Sequence, residues 1–319
     1  MELSKEIIEK IEKLREKFAS SGQDLNSYLE GLLYSDYLKY WDYINLDVLL
    51  NLQHPKTHFP DEQIFIMYHQ ITELYFKLSL HAIHQITDAR KITKEEFVTQ
   101  INRVISYFKI LSDSFEIMVS GMDKEQFLKF RMSLLPASGF QSAQYRVIEI
   151  CCTDAYNLVA MNARGRISAD SSFEEMYENF YWKLGGIELA TGKKTLTLQQ
   201  FEEKYTKDFL RIIDEYKNKN VWQKYKSLTE EDRKDEEVIN TMKALDVAIE
   251  VLWPLKHYRS AVRHLHLDPE DIKATGGTTW QKYLPPRFQY IHLFPELLSP
   301  EEMENWGKQV DQQRPEAKQ

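Results

Sequence analysis

Cysteine, glycine and proline are all scarce in this sequence of 319 residues. The two cysteines, Cys151 and Cys152, are adjacent, so they cannot form the spaced pairs of a disulfide framework. Only 11 glycines and 10 prolines interrupt the chain, which favours long helices over many short strands. No apolar run approaches the roughly 18 residues that a membrane-spanning helix needs. We therefore expect a helical, soluble protein of a reducing cytoplasm.

We also expect neither a secretory leader nor a basic surface. The first residues, MELSKEIIEKIEKLREKF, are charged throughout and lack the apolar core of a signal peptide. The formal net charge is −8, so we do not expect nucleic acid as a partner, and without a long apolar run we expect no membrane partner either. Hydrophobic residues make up 43% of the chain, which is enough for one large domain or two small ones with a sizeable core.

The common metal and phosphate motifs are absent as well. No histidine follows an acidic residue by three or four positions, which excludes the Glu-x-x-His pairs of a carboxylate-bridged di-iron bundle. HExxH, clustered Cys/His zinc spacings and the two common glycine-rich phosphate loops do not occur either. Any chemistry must therefore come from a bound cofactor or from dispersed residues.

Hydrophobic periodicity predicts long helices and no convincing strand. Helical patterns cover about residues 7–18, 61–89, 94–119, 141–161, 198–217 and 236–265. Asp61 and Glu62 begin the second of these, and acidic residues in a first turn suit the helix dipole. We expect an all-α fold in a single domain over residues 1–319.

The stretch FIMYHQITELYFKLSLH, residues 65–81, places His69, Glu73 and Lys77 four residues apart on one predicted helix. Glu73 and Lys77 stand in the favourable order for an ion pair, which predicts a stabilising contact on the helix surface. His69 has mostly apolar neighbours, so we expect its surroundings to be partly buried. Two interpretations stay open, a core histidine with a hydrogen-bond partner or a functional imidazole.

A second stretch, FLKFRMSLLPASGFQSAQYR, carries Arg131 on an apolar helix just before Pro136 breaks that helix. An arginine beside such a break can bind a carboxylate in bidentate fashion, near free backbone amides. The structural alternative is an arginine that pairs with Glu149 or another acid.

The third stretch, LWPLKHYRSAVRHLHLDPEDIKATGGTTW, has His257, His264 and His266 near one helix end. A histidine on a long apolar helix could be an axial haem ligand, because globin-like and peroxidase haems use one proximal imidazole. The pattern by itself leaves the choice among these histidines open.

Together these segments resemble the tryptophan 2,3-dioxygenase family of haem proteins, because four separated motifs occur in the family's order. YWDYINLDVLLNLQHP resembles its N-terminal segment, and FIMYHQITELYFKL resembles its His-Gln-x-x-Glu-Leu helix. FLKFRMSLLPASGFQSAQYRVIE matches its Phe-Arg…Pro-Ala-Ser-Gly-Phe-Gln-Ser signature almost letter for letter. WPLKH, followed by ATGGTT, resembles its proximal histidine helix and glycine loop. The resemblance spans about residues 40–284 and is weak between about 158 and 235.

The resemblance implies a helical fold, haem b in its ferrous form and O₂ as co-substrate. The implied reaction opens the indole C2–C3 bond of L-tryptophan to give N-formylkynurenine, which is the first step of tryptophan catabolism by the kynurenine route. His257 is the implied proximal iron ligand. His69 is the implied distal histidine, which faces the indole N–H and acts in catalysis by positioning the substrate.

The resemblance also implies the residues that bind the substrate. Phe65 and Phe127 would flank the indole ring. Arg131 would bind the substrate carboxylate, and Thr275 would help to hold the same amino-acid end. Ser138 would lie beside the haem at the helix break.

The family assembles as a tetramer with exchanged N-terminal segments, so we expect residues 1–50 to form an arm that reaches a neighbouring subunit. Tyr40, Tyr43 and Ile44 would line that subunit's site. The stretch YLPPRFQYIHLFPELLSPEE is interrupted by prolines, and we expect residues 287–319 to wrap the surface as a tail.

The sequence also departs from the family pattern. Tyr75 stands where the family usually has tryptophan, and Thr278 and Thr279 replace the usual serines of the loop. Trp280 stands where the family has glycine.

The segment HLHLDPEDIKA is longer than in the family, and it keeps His264 and His266 as alternative iron ligands. Two other functions also stay open. One is a haem monooxygenase that acts on an indole without opening the ring, and the other is a non-enzymatic sensor or carrier of haem or an aromatic amino acid.

Overall fold

The computed structural model describes residues 4–35, 39–134, 142–188, 191–258 and 290–308. The chain divides into two compact units, Met1–His54 and Pro55–Gln319. Within the described ranges the regular structure is helical, and β pairing is confined to isolated bridges such as Val159 with Phe180. The all-α prediction is confirmed. No helix in these ranges is long and apolar enough to cross a membrane.

The first unit has a very small core. Its described helices are α1 (Lys5–Ser20), α2 (Leu25–Leu33), α3 (Tyr40–Tyr43) and α4 (Leu46–Leu49). The Asp24 carboxylate caps α2 by accepting the N–H of Ser27 at 2.9 Å. Leu25 is the single buried side chain among the residues of this unit that the structure describes. Packing within the unit therefore buries too little apolar surface to offset its conformational entropy.

The second unit is a bundle of longer helices. They are α5 (Asp61–Thr87), α6 (Lys94–Ser114), α7 (Glu116–Ser120), α8 (Lys124–Phe130), α9 (Ala143–Cys152), α10 (Phe173–Glu178), α11 (Leu196–Tyr216), α12 (Val221–Ser227), α13 (Glu230–Lys234), α14 (Glu236–Val247) and α15 (Pro300–Glu304). Helix α14 continues through a π-helical turn, Ala248–Leu252, into a further helical segment, residues 253–258. A 3₁₀ turn, Arg131–Leu134, follows α8 directly.

Helix α5 is the centre of this bundle. It packs against α6 and α9, while α14 packs on α6 and α11 packs on α9. Phe76 on α5, Phe108 on α6 and Ile148 on α9 are fully buried where these helices meet. The core occupies the middle and the C-terminal half of α5, so its N-terminal half is left to carry Phe65 and His69.

Three predicted helices are confirmed, the first of them being 7–18, which is α1, and two were too long. The predicted helix 61–89 is α5, which ends at Thr87, and the predicted helix 198–217 is α11. The predicted helix 94–119 divides at Phe115 into α6 and α7. The predicted helix 141–161 ends at Cys152, because Thr153 turns to extended backbone and its hydroxyl donates to the Leu293 carbonyl.

The C-terminal segment is tied to α14 from inside the core. The buried carboxylate of Asp246 accepts the backbone N–H of Leu293 at 3.0 Å and that of Phe294 at 3.1 Å. Ile291, Leu293 and Phe294 are themselves buried. The tail that the sequence predicted over residues 287–319 therefore contains a core segment instead of lying wholly on the surface.

We expect Asp246→Ala to lower the free energy of unfolding by about 2–4 kcal/mol, since two buried N–H groups lose their acceptor. Urea denaturation followed by circular dichroism measures this loss. Glu203→Ala, which removes an exposed carboxylate on α11, is the control and should change stability by less than about 0.5 kcal/mol. Equal effects of the two substitutions would contradict the role of Asp246.

Candidate functional site

His69 and Phe65 lie one turn apart on α5, and their rings are in contact. The ring centroids are 4.1 Å apart. The Nδ1 atom of His69 lies 2.7 Å from the Phe65 carbonyl oxygen. Because a carbonyl only accepts hydrogen bonds, this contact assigns the proton to Nδ1. The Nε2 atom of the neutral ring is then a hydrogen-bond acceptor.

The surroundings of His69 keep it neutral. Burial among protein atoms lowers the pKa of His69, against the opposing effects of the Phe65 carbonyl and the Glu73 carboxylate. The side chain nevertheless keeps exposed surface. A small molecule could therefore reach the Nε2 atom of His69.

His257 lies on the helical segment 253–258 and packs among aromatic rings. Its ring is parallel to that of Trp253, at 8° with centroids 6.5 Å apart, and lies 5.9 Å from the ring of Phe115. Burial lowers the pKa of His257 to about 4, with a smaller contribution from His69. At neutral pH, His257 therefore offers an uncharged nitrogen lone pair to a metal or a donor.

An aromatic cluster connects the part of α5 that carries His69 with the helical segment that carries His257. Tyr68, the residue before His69, has its ring 5.6 Å from that of Phe115, and the ring of Phe115 lies 4.6 Å from that of Trp253. Tyr68 and Phe115 are buried, and Phe65 packs on the same cluster. The sequence predictions did not include Tyr68 or Phe115. The one available signal for Tyr68 was its position beside His69.

Helix α8 brings Phe127 and Arg131 to the same region. The ring of Phe127 lies 6.2 Å from that of Phe65, and the ring of Phe130 lies 5.8 Å from it, nearly edge-on. The guanidinium carbon of Arg131 lies 6.0 Å from the centre of the Phe127 ring. Burial lowers the pKa of Arg131, but arginine stays charged at neutral pH. A cation thus stands at the edge of an aromatic pair.

These contacts bring together five of the predicted site residues, Phe65, His69, Phe127, Arg131 and His257. Ser138 and Thr275 lie outside the described residues, as do the alternative iron ligands His264 and His266. Tyr40, Tyr43 and Ile44 belong to the first unit, where the two tyrosines are each 69% exposed.

One contact that was expected on a helix surface is not formed. Glu73 makes no ion pair with Lys77 in the described part of the chain, so that prediction is wrong. The amide nitrogen of Gln144, on α9, instead donates to the Glu73 carboxylate at 2.8 Å and to its backbone carbonyl at 2.9 Å. Glu149, the alternative partner for Arg131, is bound by Arg146 at 2.7 Å. At Glu73, a contact between α5 and α9 thus replaces the expected contact within α5.

Two cavities of the second unit lie away from this site. They measure about 200 and 190 Å³, and neither is lined by Phe65, His69, Phe127, Arg131 or His257. The first contains Asp154, but its carboxylate already accepts from Asn220 at 2.8 Å and from Gln223 at 2.7 Å. The Asp154 carboxylate is therefore engaged by its neighbours, and the region of His69 and His257 is the better candidate for chemistry.

The site residues also suit a flat, apolar cofactor. His257 supplies the single neutral imidazole that a haem iron requires, and the aromatic side chains around it suit a planar macrocycle. His69 stands nearby as a second imidazole, with its Nε2 atom available as an acceptor. The residues present therefore fit a haem.

The chain is similar to a known protein family. A profile of the family described as Tryptophan 2,3-dioxygenase matches residues 31–249. The matched range includes His69 and Arg131 and ends before His257.

Curated relatives with that name include those of Ruegeria sp. (strain TM1040), Alteromonas mediterranea and Herpetosiphon aurantiacus. The first is 38% identical over 117 residues, which cover 36% of this chain and 42% of the relative. The second is 30% identical over 217 residues, which cover 62% and 54%. The third is 41% identical over 118 residues, which cover 36% and 45%. The chain spans about half the length of these relatives.

We expect Phe115→Ala to raise the pKa of His257 toward the ordinary histidine value, because water would enter the space beside the ring. The free energy of unfolding should fall by about 3 kcal/mol, because a buried cavity is left. NMR titration of the His257 ring measures the first effect and urea denaturation the second. Phe209→Ala opens a similar cavity in the packing of α11 and is the control. A His257 pKa that responds equally to both substitutions would contradict this account.

Proposed function

The chain belongs to the tryptophan 2,3-dioxygenase family, and we propose that it opens the indole ring of L-tryptophan with O₂ in a haem-dependent reaction. The C2–C3 bond is cleaved and the product is N-formylkynurenine, the first intermediate of tryptophan catabolism by the kynurenine route. One observation carries this proposal. The neutral His69 presents an acceptor nitrogen beside two aromatic rings and a cation, which is the pattern that the indole N–H, the indole ring and the carboxylate of tryptophan require.

His257 is the residue that would hold haem b through its iron. The imidazole is neutral at physiological pH because of its burial, and a neutral imidazole is the form that binds iron. When bound, haem supplies the binding and activation of O₂. The family profile ends before His257, so this assignment is supported by the WPLKH motif and by the packing of His257 on Phe115, whose ring also contacts Tyr68.

The chain's own residues orient the substrate. Phe65 and Phe127 would contact the two faces of the indole ring, and apolar contact of this kind holds a flat ring without specifying its direction. His69 would specify direction, because its Nε2 atom accepts from the indole N–H while Nδ1 donates to Phe65. Arg131 would bind the carboxylate in bidentate fashion. Holding both ends of the substrate lowers the entropic part of the barrier.

Further contacts are proposed at residues outside the described ranges or in the first unit. Thr275 would assist Arg131 at the amino-acid end, and Ser138 would lie beside the haem. Tyr40, Tyr43 and Ile44 would complete the site of a neighbouring subunit in a homotetramer. The exposure of the two tyrosines and the small core of their unit support this proposal. The free, buried cysteines support a cytoplasmic location.

Haem reconstitution followed by turnover tests the proposed function. The reduced, haem-loaded chain should convert L-tryptophan and O₂ to N-formylkynurenine, detected by its ultraviolet absorbance and by mass. His257→Ala should lose haem binding, seen as loss of the Soret band. An oxindole product would show a monooxygenase instead. A wild-type chain with no Soret band would exclude both enzymes, and a His257 variant that keeps its haem would point to His264 or His266.

We expect Arg131→Ala to raise the KM for L-tryptophan by about tenfold or more, because a desolvated charge pair is worth roughly 2–4 kcal/mol. Arg131→Lys should recover part of the loss, since lysine keeps the charge without the bidentate geometry. Steady-state kinetics measures both. Arg103→Ala, which removes an exposed arginine on α6, is the control. A KM for the Arg131 variant equal to that of the control would show that the carboxylate binds elsewhere.

A further inference from the structure

The helix that carries His257 contains one wider turn just before it. In the π-helical turn Ala248–Leu252, the N–H of Trp253 donates to the carbonyl of Ala248, five residues back. An α-helix would direct the same N–H to the carbonyl of Ile249, four residues back. In the π turn, therefore, the Ile249 carbonyl does not receive the N–H of Trp253, which an α-helix would direct to it.

Proline removes the other donor that the helix could offer. Residue 254 is Pro254, which has no N–H, so it cannot continue the five-residue pattern to Ile249. Its ring would also collide with the Glu250 carbonyl in a regular α-helix, which explains why the turn is wide. The Ile249 carbonyl is therefore left without a donor from its own helix, inside the core of the protein.

A side chain from another helix supplies the missing hydrogen bond. The hydroxyl of Tyr145, on α9, donates to the Ile249 carbonyl at 2.8 Å. Both residues are buried, so water does not replace this bond. The ring of Tyr145 is fixed in turn by Phe76 at 5.5 Å and by the guanidinium of Arg146 at 4.7 Å. A buried carbonyl without a donor is costly, which makes this single bond important for the turn.

Glu250, the next residue of the π turn, also contacts a side chain from outside its helix. One of its carboxyl oxygens lies 3.5 Å from the hydroxyl of Tyr181. That hydroxyl also accepts from Arg146 at 3.0 Å and donates to Glu149. Burial and the nearby Glu149 carboxylate raise the pKa of Glu250. Two successive residues of the π turn are therefore anchored by α9 and by the segment that contains Tyr181.

The direction of His257 depends on this turn. Each residue of an α-helix adds about 100° of rotation, so one residue more or less per turn changes where all later side chains point. Trp253 and His257 follow the turn directly, and their contacts with Phe115 require the present direction. A change in the turn would move both rings away from Phe115 and from the neighbourhood of His69.

We infer that Tyr145 is a positioning residue for His257, and that it acts through the carbonyl of Ile249. It replaces the hydrogen bond that Pro254 removes and so holds the helical segment 253–258 in the direction that places the imidazole beside the rings of Trp253 and Phe115. The consequence for haem binding rests on the proposed function. The consequence for the direction of the His257 ring does not.

Tyr145→Phe tests this inference, with Tyr225→Phe as a matched control. Tyr225 is a buried tyrosine whose hydroxyl also donates to a backbone carbonyl, that of Arg233, at 2.8 Å, but it lies away from the π turn. Two readouts are needed. One is the NMR resonance of the His257 ring in the haem-free full chain, which ring currents of Trp253 and Phe115 displace, assigned with His257→Gln. The other is the rate of haem transfer from the loaded chain to a haem scavenger.

Tyr145→Phe should shift or broaden the His257 resonance and speed haem loss by about fivefold or more, the equivalent of one net hydrogen bond. Tyr225→Phe should lower the stability of the fold similarly and leave both readouts unchanged. Pro254→Ala provides a second test, because it restores an N–H that can donate to Ile249. In that background the Tyr145 substitution should have little further effect on either readout.

Equal effects of Tyr145→Phe and Tyr225→Phe on the His257 resonance would overturn the inference. The same conclusion follows if the Tyr145 effect is undiminished in the Pro254→Ala background. A wild-type chain that binds no haem would refute the proposed function alone, because the resonance of the haem-free chain still decides whether Tyr145 directs His257.

Discussion

A buried tyrosine supplies the hydrogen bond that a proline removes from the helix of His257. Tyr145 donates to the Ile249 carbonyl, and Pro254 is the reason that this carbonyl needs a donor from outside its helix. The next residue on α9, Arg146, forms an ion pair with Glu149, and both residues are buried. Such a pair adds little net stability, but loss of one partner leaves a buried charge and is strongly destabilising. The arrangement therefore specifies one geometry for the turn more than it strengthens the fold.

The candidate site combines two neutral imidazoles with one cation. Burial lowers the pKa of both His69 and His257, so neither competes with Arg131 for a carboxylate. Arg131 keeps its charge because arginine begins far above neutral pH. The charge of Arg131 thus lies beside Phe127, the rings of Phe127 and Phe65 follow, and the uncharged ring of His69 contacts Phe65 on the other side. An amphipathic zwitterion with a flat apolar ring fits that division.

Sequence reasoning succeeded where local periodicity decides the outcome. Helix α5 begins at Asp61 as predicted, because its apolar spacing and its acidic first turn are properties of adjacent residues. The expected Glu73–Lys77 pair failed because Gln144, from α9, bonds to Glu73. The predicted helix through residue 161 failed because Thr153 bonds to the Leu293 carbonyl, 140 residues away. In both cases the competing partner came from a distant part of the chain.

The sequence by itself determined the all-helical class, the adjacency of the cysteines and the one-turn spacing of Phe65 and His69. It also determined that residue 254 lacks an N–H, since that is a property of proline alone. Only the tertiary structure decided that Tyr145, 104 residues from Ile249, would replace the lost donor, and that Phe115 would stand between Tyr68 and Trp253. The protonation states of His69 and His257 also depend on the tertiary structure. Burial sets their pKa values, and burial exists only once helices that are remote in sequence have packed together.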